Sequence, residues 1–149
     1  MGSKTALLTG SSRGIGKSIK ESLMNEQIEV ISPSRNELDL SSFESMSNFL
    51  TNFSTSIDIL VNNAGIGGSD DDPEAEEKIA TRMAAMEAGE VVHNDAIMEM
   101  TDEQWDRMID VHMRGTFLCC REGLKQMISS PTGSIINIAS VMGTFGRPG

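Results

Sequence analysis

The sequence predicts an α/β fold: a doubly wound, parallel β-sheet with helices packed on it. Short apolar runs typical of buried strands alternate with stretches in which apolar residues recur at helical spacing. A glycine-rich turn joins the first such run to the first such stretch. Parallel strands are joined by right-handed crossovers that usually contain a helix, so this alternation indicates a parallel sheet.

The apolar runs define the candidate strands. These are Lys4–Thr9, Ile28–Ser32, Leu38–Leu40, Ile57–Val61 and Ser134–Ala139. Pro33 ends the second run. The third run is anomalous, because only residues 33–37 precede it and a parallel crossover normally needs about a dozen residues or more. We expect it to be vestigial or an extended segment at the sheet edge.

The helices follow from apolar stripes and capping residues. Ile15, Ile19 and Leu23 mark one helix that ends at about Asn25. Ser41 or Ser42 can cap the next helix. Its predicted inward stripe is Phe43, Met46, Leu50 and Phe53. Thr101 can cap a last helical stretch, with Asp102 and Glu103 in its first turn. That stretch runs to Ile128, and its predicted inner side is Trp105, Met108, Ile109 and His112.

Residues 67–100 stand apart in composition, because acidic residues and methionine dominate there. Asp72–Pro73 resembles an N-cap followed by proline at the first helical position, and Gly89 is a plausible stop. Ile79, Met83 and Met86 form a modest apolar stripe. We expect an acidic helical insertion at about 67–100, with a surface helix and then a loop from Gly89 to Glu99. A natural insertion and an engineered fusion would both produce this shift.

Composition excludes several classes of protein. The 149 residues carry a formal net charge of −10, with 38% hydrophobic and 23% charged residues, as in a single soluble globular domain. No apolar run reaches the ~18 residues of a membrane span. The N-terminus shows no secretory signal, so we expect a cytoplasmic protein. The acidic balance argues against nucleic acid as a partner. Cys119 and Cys120 are predicted to be reduced thiols, and no metal-ligand spacing occurs.

The glycine loop Thr9–Gly16 predicts a phosphate-binding turn. A pyrophosphate is bound by backbone N–H groups at the positive end of a helix dipole, and glycines let it approach. A P-loop is an alternative interpretation, because Gly16–Lys17–Ser18 matches the end of that motif. However, Ser11 stands where that motif has its first glycine, and Asn62 stands where an acid would hold magnesium.

Three motifs occur in order: T-G-x-x-x-G-x-G from Thr9, N-N-A-G at Asn62–Gly65, and G-S-I-I-N-I-A-S ending at Ser140. Together they resemble the short-chain dehydrogenase/reductase family, including its 3-oxoacyl reductase members. The segment 110–117 resembles that family's next helix. The resemblance covers the chain except about 67–100. It implies a Rossmann-type dinucleotide-binding domain over residues 1–149, in the N-terminal part of such an enzyme.

The implied activity is hydride transfer between a nicotinamide cofactor and a ketone or secondary alcohol, with 3-oxoacyl thioesters as one implied substrate class. The resemblance also assigns cofactor-binding positions. They are Gly10, Ser12, Gly14, Ile15 and Gly16 at the pyrophosphate, Asp39 and Leu40 beside adenine, Asn62, Ala64 and Gly65 towards the ribose and nicotinamide, and Ile138 at the nicotinamide pocket. For Asn62, a structural role in bridging strands is an equal alternative.

Cofactor choice depends on the end of the second strand. NAD-binding proteins place an acid there for the ribose 2′-hydroxyl. Here Ser34 and Arg35 occupy the region, and Arg35 can hold a 2′-phosphate with paired hydrogen bonds. Arg13 resembles a second phosphate contact of NADP-preferring members. We therefore predict NADP, with NAD as the less favoured cofactor. The alternative is that both arginines are merely exposed.

The resemblance makes Ser140 the catalytic serine that hydrogen-bonds the substrate carbonyl or alcohol. His112 stands where the family usually has an asparagine that supports a proton-relay water. Histidine can also donate and accept, and it titrates near neutral pH. A packed histidine without a catalytic role is the alternative.

The family's general acid/base is a tyrosine in Y-x-x-x-K, and this sequence contains no tyrosine. In relatives, the residues around Gly149 lead towards that motif. We therefore expect a sheet that is incomplete at its C-terminal side, with an exposed edge at Ser134–Ala139, and no hydride transfer by this chain alone. A truncation, a chain completed by another polypeptide and a chimera would each explain this. A non-catalytic nucleotide-binding or interaction module is the alternative function.

Assembly is a further expectation from the resemblance. Relatives commonly form dimers or tetramers through the helix at about Gly115–Ile128. The stripe of Phe117, Leu124 and Ile128 could serve such an interface or the core equally well.

Overall fold

The computed structural model describes residues 4–67, 73–92 and 96–145. Within them lies a four-stranded sheet whose paired strands all run parallel. Its strands are β1 (Thr5–Leu8), β2 (Glu29–Ile31), β3 (Ile59–Asn62) and β4 (Ser134–Asn137). The order across the sheet is β2-β1-β3-β4. The prediction of an α/β fold with a parallel sheet is confirmed.

Helices connect the strands. They are α1 (Gly14–Asn25), α2 (Phe43–Asn52), α3 (Ala75–Glu87), α4 (Ala96–Glu99), α5 (Asp102–Ile109) and α6 (Thr116–Met127). A π-helical segment, Asp110–Gly115, joins α5 to α6, and a short 3₁₀ turn, Val141–Gly143, follows β4. Within the described ranges, no helix is long and apolar enough to cross a membrane.

The strand order makes the sheet doubly wound. The step from β1 to β2 and the step from β2 to β3 run in opposite directions across the sheet. Right-handed crossovers therefore place α1 and α2 on opposite faces. Helix α1 packs on β1 and β2, whereas α2 packs against α6, which covers β3. In such sheets ligands bind where the direction reverses, here between the carboxyl ends of β1 and β3.

The core lies on the face of the sheet that α2 and α6 cover. Leu7 and Leu60 of the sheet are fully buried there, as are Met46 of α2 and Cys119 of α6. Close packing of α6 on the sheet needs small residues, because a Cβ on Gly123 would lie 3.0 Å from Leu60 Cδ2. The buried parts of β1 and β3 thus fix the position of the loops that follow them.

The third run forms no strand, so the extended-edge alternative is wrong and the vestigial one fits. Leu38 and Leu40 are buried in the core, but the segment forms turns and pairs with none of the described strands. Its backbone groups are bound locally, because the N–H of Leu38 donates to the carbonyl of Ser34 at 2.9 Å and the N–H of Asp39 donates to Ser45 Oγ at 2.9 Å. The apolar run therefore reflects two leucines that anchor a turn. The connection from β2 is too short to carry a crossover.

Three predicted inward residues, Phe43, Trp105 and His112, are exposed. Phe43 is 60% exposed because it opens α2 one turn before the buried positions Met46 and Leu50. Trp105 is 58% exposed because α5 packs on the adjoining π-helical segment and buries none of its own residues. Apolar spacing identified the helices correctly but misjudged where their covered faces begin and end.

The helix predicted within residues 67–100 is present as α3, but its apolar stripe is uncovered. Ile79, Met83 and Met86 are all more than half exposed, and no described side chain of α3 is buried. The predicted N-cap Asp72 lies outside the described residues. The loop predicted at Gly89–Glu99 ends in the short helix α4.

The helical stretch after Thr101 begins as predicted. Thr101 Oγ1 accepts a hydrogen bond from the N–H of Gln104 at 3.2 Å, and Gln104 Oε1 accepts one from the N–H of Thr101 at 3.0 Å. Together these two bonds form a capping box. The π-helical turn inside the stretch was not predicted. Apolar periodicity carries no signal for one extra residue per turn.

The end of the described chain has the exposed edge that we expected. Strand β4 pairs only with β3 among the described strands, and Ile136 and Ile138 are 46% and 40% exposed. On α6 and its C-cap residue, Phe117, Leu124 and Ile128 are likewise exposed. The core alternative for that stripe is therefore wrong in this structure.

Candidate functional site

A cleft of about 920 Å³ opens at the carboxyl ends of β1, β2 and β3, at the point where the strand order reverses. This volume lies within the range of small-molecule sites, roughly 300–1,000 Å³. Its lining comes from the glycine loop, the β2–α2 connection, the segment after β3 and two residues of the α5 region. Predicted site residues in the lining are Gly10, Ser12, Arg13, Ile15, Gly16, Ser34, Arg35, Asp39, Leu40, Ala64 and Gly65.

Two glycines bring the loop after β1 against the segment after β3. Gly10 has a left-handed backbone (φ +69°), and a Cβ there would lie 2.6 Å from Ala64 Cα. A Cβ on Gly16 would collide with the carbonyl oxygen of Gly10 and the side chain of Asn63. A side chain at either position would collide with these atoms, so glycine is required for this approach.

Thr9 and Asn63 fasten the same junction, and the sequence reasoning missed both. Thr9 is buried, and its Oγ1 accepts hydrogen bonds from the backbone N–H groups of Asn63 and Ala64, each at 3.1 Å. Asn63 Nδ2 donates to the carbonyl oxygens of Gly10 at 2.8 Å and of Thr9 at 3.2 Å. The sequence signal for this contact was the polar residue in each motif, Thr9 in T-G and Asn63 in N-N-A-G, because each forms hydrogen bonds with the loop that carries the other motif.

The N-terminus of α1 faces the cleft. Arg13 occupies the N-cap position without a side-chain cap hydrogen bond, so no capping side chain covers the first N–H groups of the helix. Such a terminus attracts anions through its N–H groups and its dipole. Ser11 also joins this loop to the end of β2 through a hydrogen bond to the Ser32 hydroxyl.

The structure argues against the P-loop interpretation. A P-loop lysine must reach the phosphates. Lys17 is instead an exposed residue on α1, where its Nζ lies 4.0 Å from Glu21 Oε1, and it does not line the cleft.

The β2–α2 connection forms the opposite wall. Glu37 Oε2 accepts hydrogen bonds from the backbone N–H of Ser34 at 2.8 Å and from its Oγ at 2.7 Å, and these bonds lower the pKa of Glu37. Arg35 is exposed, with its Nε 4.0 Å from Asp39 Oδ2. Glu37 was not predicted as a site residue, although it places an acid beside Ser34 and Arg35 at the end of the second strand.

Asp39 is held in a defined orientation. Its Oδ1 accepts from the N–H of Ser41 at 2.9 Å and from Ser41 Oγ at 2.6 Å. Partial burial raises the pKa of Asp39, but the bonds from Ser41 and the positive charges of Arg35 and Arg107 lower it by more, so that the carboxyl is ionised at neutral pH. Arg107, on α5, is a cleft residue that the sequence reasoning missed.

The cleft is locally basic in an acidic protein. Its lining holds the cations Arg13, Lys20, Arg35 and Arg107 and the acids Glu37 and Asp39. The chain as a whole has a formal net charge of −10. This contrast favours an anionic ligand. The glycine cradle, the uncapped helix N-terminus and the cations together fit a phosphate-bearing dinucleotide.

Asn62 lies beside the cleft rather than in its lining. It is buried, and its Nδ2 donates to Asn137 Oδ1 at 2.8 Å and to Cys120 Sγ at 3.2 Å. Its backbone carbonyl accepts from the N–H of Ile138 at 2.9 Å. These contacts favour the strand-bridging alternative for Asn62.

The remaining predicted residues also lie outside the cleft lining. His112 is anchored beside Gly65, with Nε2 2.9 Å from the carbonyl oxygen of Ile66 and 3.3 Å from its backbone nitrogen. Ile138 and Ser140 follow β4, at the same edge of the sheet as the cleft, and both are exposed. Gly14 (φ +53°) begins α1 without lining the cleft.

Comparison with known proteins places this geometry in a family. A family model described as short chain dehydrogenase matches residues 36–149. The 3-oxoacyl-[acyl-carrier-protein] reductase FabG of Staphylococcus aureus is 28% identical over 171 aligned residues, which cover 98% of this chain and 59% of that protein. The FabG of Rickettsia prowazekii is 32% identical over 98% of this chain and 57% of its own length.

Solved structures agree. The 4-hydroxyisoleucine dehydrogenase complexed with NADH superposes with a TM-score of 0.71 at 26% identity, over 97% of this chain and 59% of that one. The chain thus spans about three-fifths of the length of the proteins it matches. With the motifs, the sheet order and the family model in agreement, the chain belongs to the short-chain dehydrogenase family.

Proposed function

We propose that this chain is the cofactor-binding part of an NADP-dependent oxidoreductase that moves hydride between the nicotinamide and a ketone or secondary alcohol. The observation that carries the proposal is the basic cleft at the reversal of strand order, built on Gly10, Gly16 and the N-terminus of α1. The two FabG proteins are 3-oxoacyl-[acyl-carrier-protein] reductases, which supports a 3-oxoacyl thioester as the substrate class. The NADH in 4-hydroxyisoleucine dehydrogenase supports a nicotinamide cofactor.

Different residues of the cleft would bind different parts of the dinucleotide. Backbone N–H groups at Ser12–Gly16 would bind the pyrophosphate, with Gly10 and Gly16 keeping the approach open. Leu40 and Ala64 would contact the adenosine, with the ionised Asp39 beside the adenine. When bound, the nicotinamide ring supplies or accepts the hydride. Gly65, which adjoins His112, would border the nicotinamide side.

The preference for NADP rests on Arg13 and Arg35. Arg35 is 65% exposed in its side chain, and its contact with Asp39 is at the outer limit of an ion pair, so it is available to a 2′-phosphate. Glu37 would oppose that phosphate, but two hydrogen bonds from Ser34 direct one of its oxygens into the turn. We infer that the arginines dominate the 2′ position.

The substrate side is built on the end of β4. Ser140 would donate a hydrogen bond to the substrate carbonyl oxygen, with Ile138 against the nicotinamide. Asn62 would position the end of β4, because its carbonyl accepts from the N–H of Ile138 and its side chain donates to Asn137. His112 would contribute through a water. The proton-transferring tyrosine of the family has no counterpart in this sequence.

We also propose a cytoplasmic location. Cys119 and Cys120 are both free thiols. Burial, and then the neighbouring Cys120, raise the pKa of Cys119 to about 12, so this thiol stays protonated and unreactive. Two unpaired thiols are typical of a reducing compartment.

Cofactor binding is tested by titrating the chain with NADPH and following nicotinamide fluorescence, with NADH and Mg-ATP as comparisons. We expect saturable binding that prefers NADPH. Arg35→Ala should weaken NADPH binding about tenfold or more, because charged hydrogen bonds contribute about 1.5–3 kcal/mol, and should leave NADH almost unchanged. Arg114→Ala is the matched control, since Arg114 pairs with Asp110 at 2.5 Å and does not line the cleft.

A folded chain that binds neither nicotinamide nucleotide would refute the proposal. Magnesium-dependent ATP binding would favour the P-loop interpretation instead. Equal weakening of NADPH and NADH by Arg35→Ala would leave the nicotinamide site standing but refute Arg35 as the source of the NADP preference.

Hydride transfer needs a separate assay. The chain is mixed with the separately produced carboxyl-terminal part of a 3-oxoacyl reductase, and NADPH oxidation by a 3-oxoacyl thioester is followed. We expect turnover that Ser140→Ala lowers by two orders of magnitude or more, as for the loss of a transition-state hydrogen-bond donor. A folded complex without turnover would support the non-catalytic nucleotide-binding alternative.

A further inference from the structure

The carboxylate of Glu37 holds both hydrogen-bond donors of Ser34. Its Oε2 accepts from the backbone N–H of Ser34 at 2.8 Å and from the Ser34 hydroxyl at 2.7 Å. Both residues line the cleft, and Arg35, which lies between them in the sequence, lines it as well. A backbone N–H, a hydroxyl and a guanidinium are donors that bind phosphate oxygens. The turn after β2 thus presents donors for an anion, two of which are bound to an anion of the chain itself.

The backbone of this turn has hydrogen bonds that do not involve the carboxylate. The carbonyl of Ser34 accepts from the backbone N–H groups of Glu37 at 3.1 Å and of Leu38 at 2.9 Å. Leu38 is buried in the core. Ser34 and Glu37 are themselves exposed, so a ligand can reach them and the Glu37 side chain can turn away. If it does, the backbone keeps the donors of Ser34 in place.

The two nicotinamide cofactors would meet this carboxylate differently. A 2′-phosphate needs the donors that Glu37 holds and carries charge of the same sign, so the two anions exclude each other there. Displacing Glu37 breaks two charged hydrogen bonds, which lowers the affinity for the phosphate. A 2′-hydroxyl has no charge and can donate to a carboxylate, as in NAD-binding proteins with an acid at the end of the second strand. NADH can therefore bind while Glu37 stays in place.

We propose that Glu37 is a specificity-determining residue that competes with the 2′-phosphate for the donors of Ser34. This inference rests on the proposed function, because it requires the 2′ position of the cofactor to lie at this turn. Arg13 and Arg35 favour NADPH, and Glu37 reduces that preference without reversing it. The ratio of the affinities for NADPH and NADH is then set by Glu37 as well as by the arginines.

The experiment measures dissociation constants for NADPH and NADH with the wild-type chain, Glu37→Gln, Ser34→Ala and the double variant Ser34→Ala/Glu37→Gln. Glutamine keeps an oxygen that can accept from Ser34 but has no charge, so it competes less well with a phosphate. Glu37→Gln is expected to tighten NADPH binding about tenfold and not to tighten NADH binding. In the Ser34→Ala background the gain should fall to about threefold, because one of the two contested donors is gone.

Glu44→Gln is the matched control. It removes one negative charge from an exposed position in the first turn of α2, outside the cleft lining, and should leave both dissociation constants unchanged. Thermal unfolding of each variant checks that it is folded.

Three results would overturn the proposal. Equal tightening of both nucleotides by Glu37→Gln would show a general effect of charge on the cleft. Unchanged or weaker NADPH binding would show that Glu37 only stabilises the turn. A gain of the same size in the Ser34→Ala background would show that the Ser34 hydroxyl is not contested. Failure of the wild-type chain to bind either nucleotide would defeat the proposed function together with this inference, whereas the three results above leave the proposed function standing.

Discussion

At Gly10 a left-handed backbone and a close contact coincide. An alanine there meets the conformational strain of positive φ, about 1–2 kcal/mol, and a clash with the backbone of Ala64. We predict that Gly10→Ala lowers the free energy of unfolding by about 1–3 kcal/mol more than Gly89→Ala, since overpacking adds to the strain. Gly89 is the matched control, because its φ is +78° and a Cβ there meets nothing within 4 Å.

Urea unfolding of the two variants measures this difference, and NADPH titration of the folded fraction measures its consequence. Gly10→Ala should lose cofactor binding while Gly89→Ala keeps it. Equal stabilities in the two variants would show that the loop after β1 can move away from Ala64, and the cleft would then be less rigid than this geometry implies.

Among the site residues, those defined by local spacing could be predicted from the sequence, and those defined by long-range contacts could not. Gly10 and Gly16 were identifiable because glycine spacing is local. Thr9 and Asn63 were not assigned, since their hydrogen bonds join residues more than 50 positions apart in the chain. Arg107 escaped for the same reason: only the folded chain brings α5 to the end of β2. The functional assignments of these residues are proposals that the binding experiments test.

At the level of elements, hydrogen bonds with one residue, Asp58, join the strands at the end of the sheet opposite the cleft. Asp58, just before β3, accepts hydrogen bonds from the N–H of Thr5 at Oδ2 (3.0 Å) and from Ser130 Oγ at Oδ1 (2.8 Å). Its backbone N–H donates to the carbonyl of Thr5, and its carbonyl accepts from the N–H of Ser134, each at 2.8 Å. One residue thus links β1, β3 and the start of β4.

We predict that Asp58→Asn lowers the thermal unfolding temperature, and that the loss depends on pH. The bonds from the N–H of Thr5, and then from Ser130, lower the pKa of Asp58 below its ordinary value of 3.8. A carboxyl with a depressed folded-state pKa stabilises the fold above its unfolded-state pKa, and that contribution disappears as pH falls through the folded-state value. The difference between wild type and Asp58→Asn should be full at pH 7 and shrink below about pH 4.

Asp106→Asn, on the exposed side of α5, controls for the loss of one negative charge. A difference between wild type and Asp58→Asn that stays constant down to pH 2 would contradict the prediction, because the asparagine would then act through shape and not through charge. Melting curves followed by circular dichroism across pH 2–8 decide between the two.

Element boundaries were the part of the fold that sequence patterns predicted least well. Leu38 and Leu40 were taken for a strand because both are buried, yet burial here serves a turn whose backbone is bound to Ser34 and Ser45. The π-helical turn at Asp110–Gly115 has no periodic signature, although it sets the position of His112. Capping was more predictable, as at Ser42 and Thr101, because a cap depends on residues within one turn.

For the whole molecule, strand alternation was enough to predict a parallel, doubly wound sheet, whereas the proposed binding site came from the glycine loop and the family resemblance. The exposed face of α3 could not be foreseen, because an amphipathic stripe predicts a covered face and cannot say what covers it. The exposed edge at β4 was predicted from the family resemblance, because the motif that contains β4 precedes the Y-x-x-x-K motif, which this sequence does not contain.

The exposed stripe of α6 leads to a prediction about assembly. Phe117, Leu124 and Ile128 lie along one helix and are 59%, 55% and 89% exposed, and Arg121 sits over the Phe117 ring at 5.5 Å. Contiguous apolar patches of this kind usually mark an interface. We propose that two copies of the chain associate through this stripe, in keeping with the oligomers expected from the family resemblance.

Light scattering across a concentration series tests the proposal against the 16.1 kDa mass of one chain. The wild-type chain should reach twice that mass, and the double variant Leu124→Glu/Ile128→Glu should remain a monomer with unchanged cofactor binding. Met83→Glu, on the exposed face of α3, is the matched control and should still dimerise. The edge of β4 offers a competing route, because its unpaired backbone groups can pair with β4 of a second copy. Association that Ile136→Lys suppresses and the α6 variant does not would assign it to β4 and refute the α6 interface.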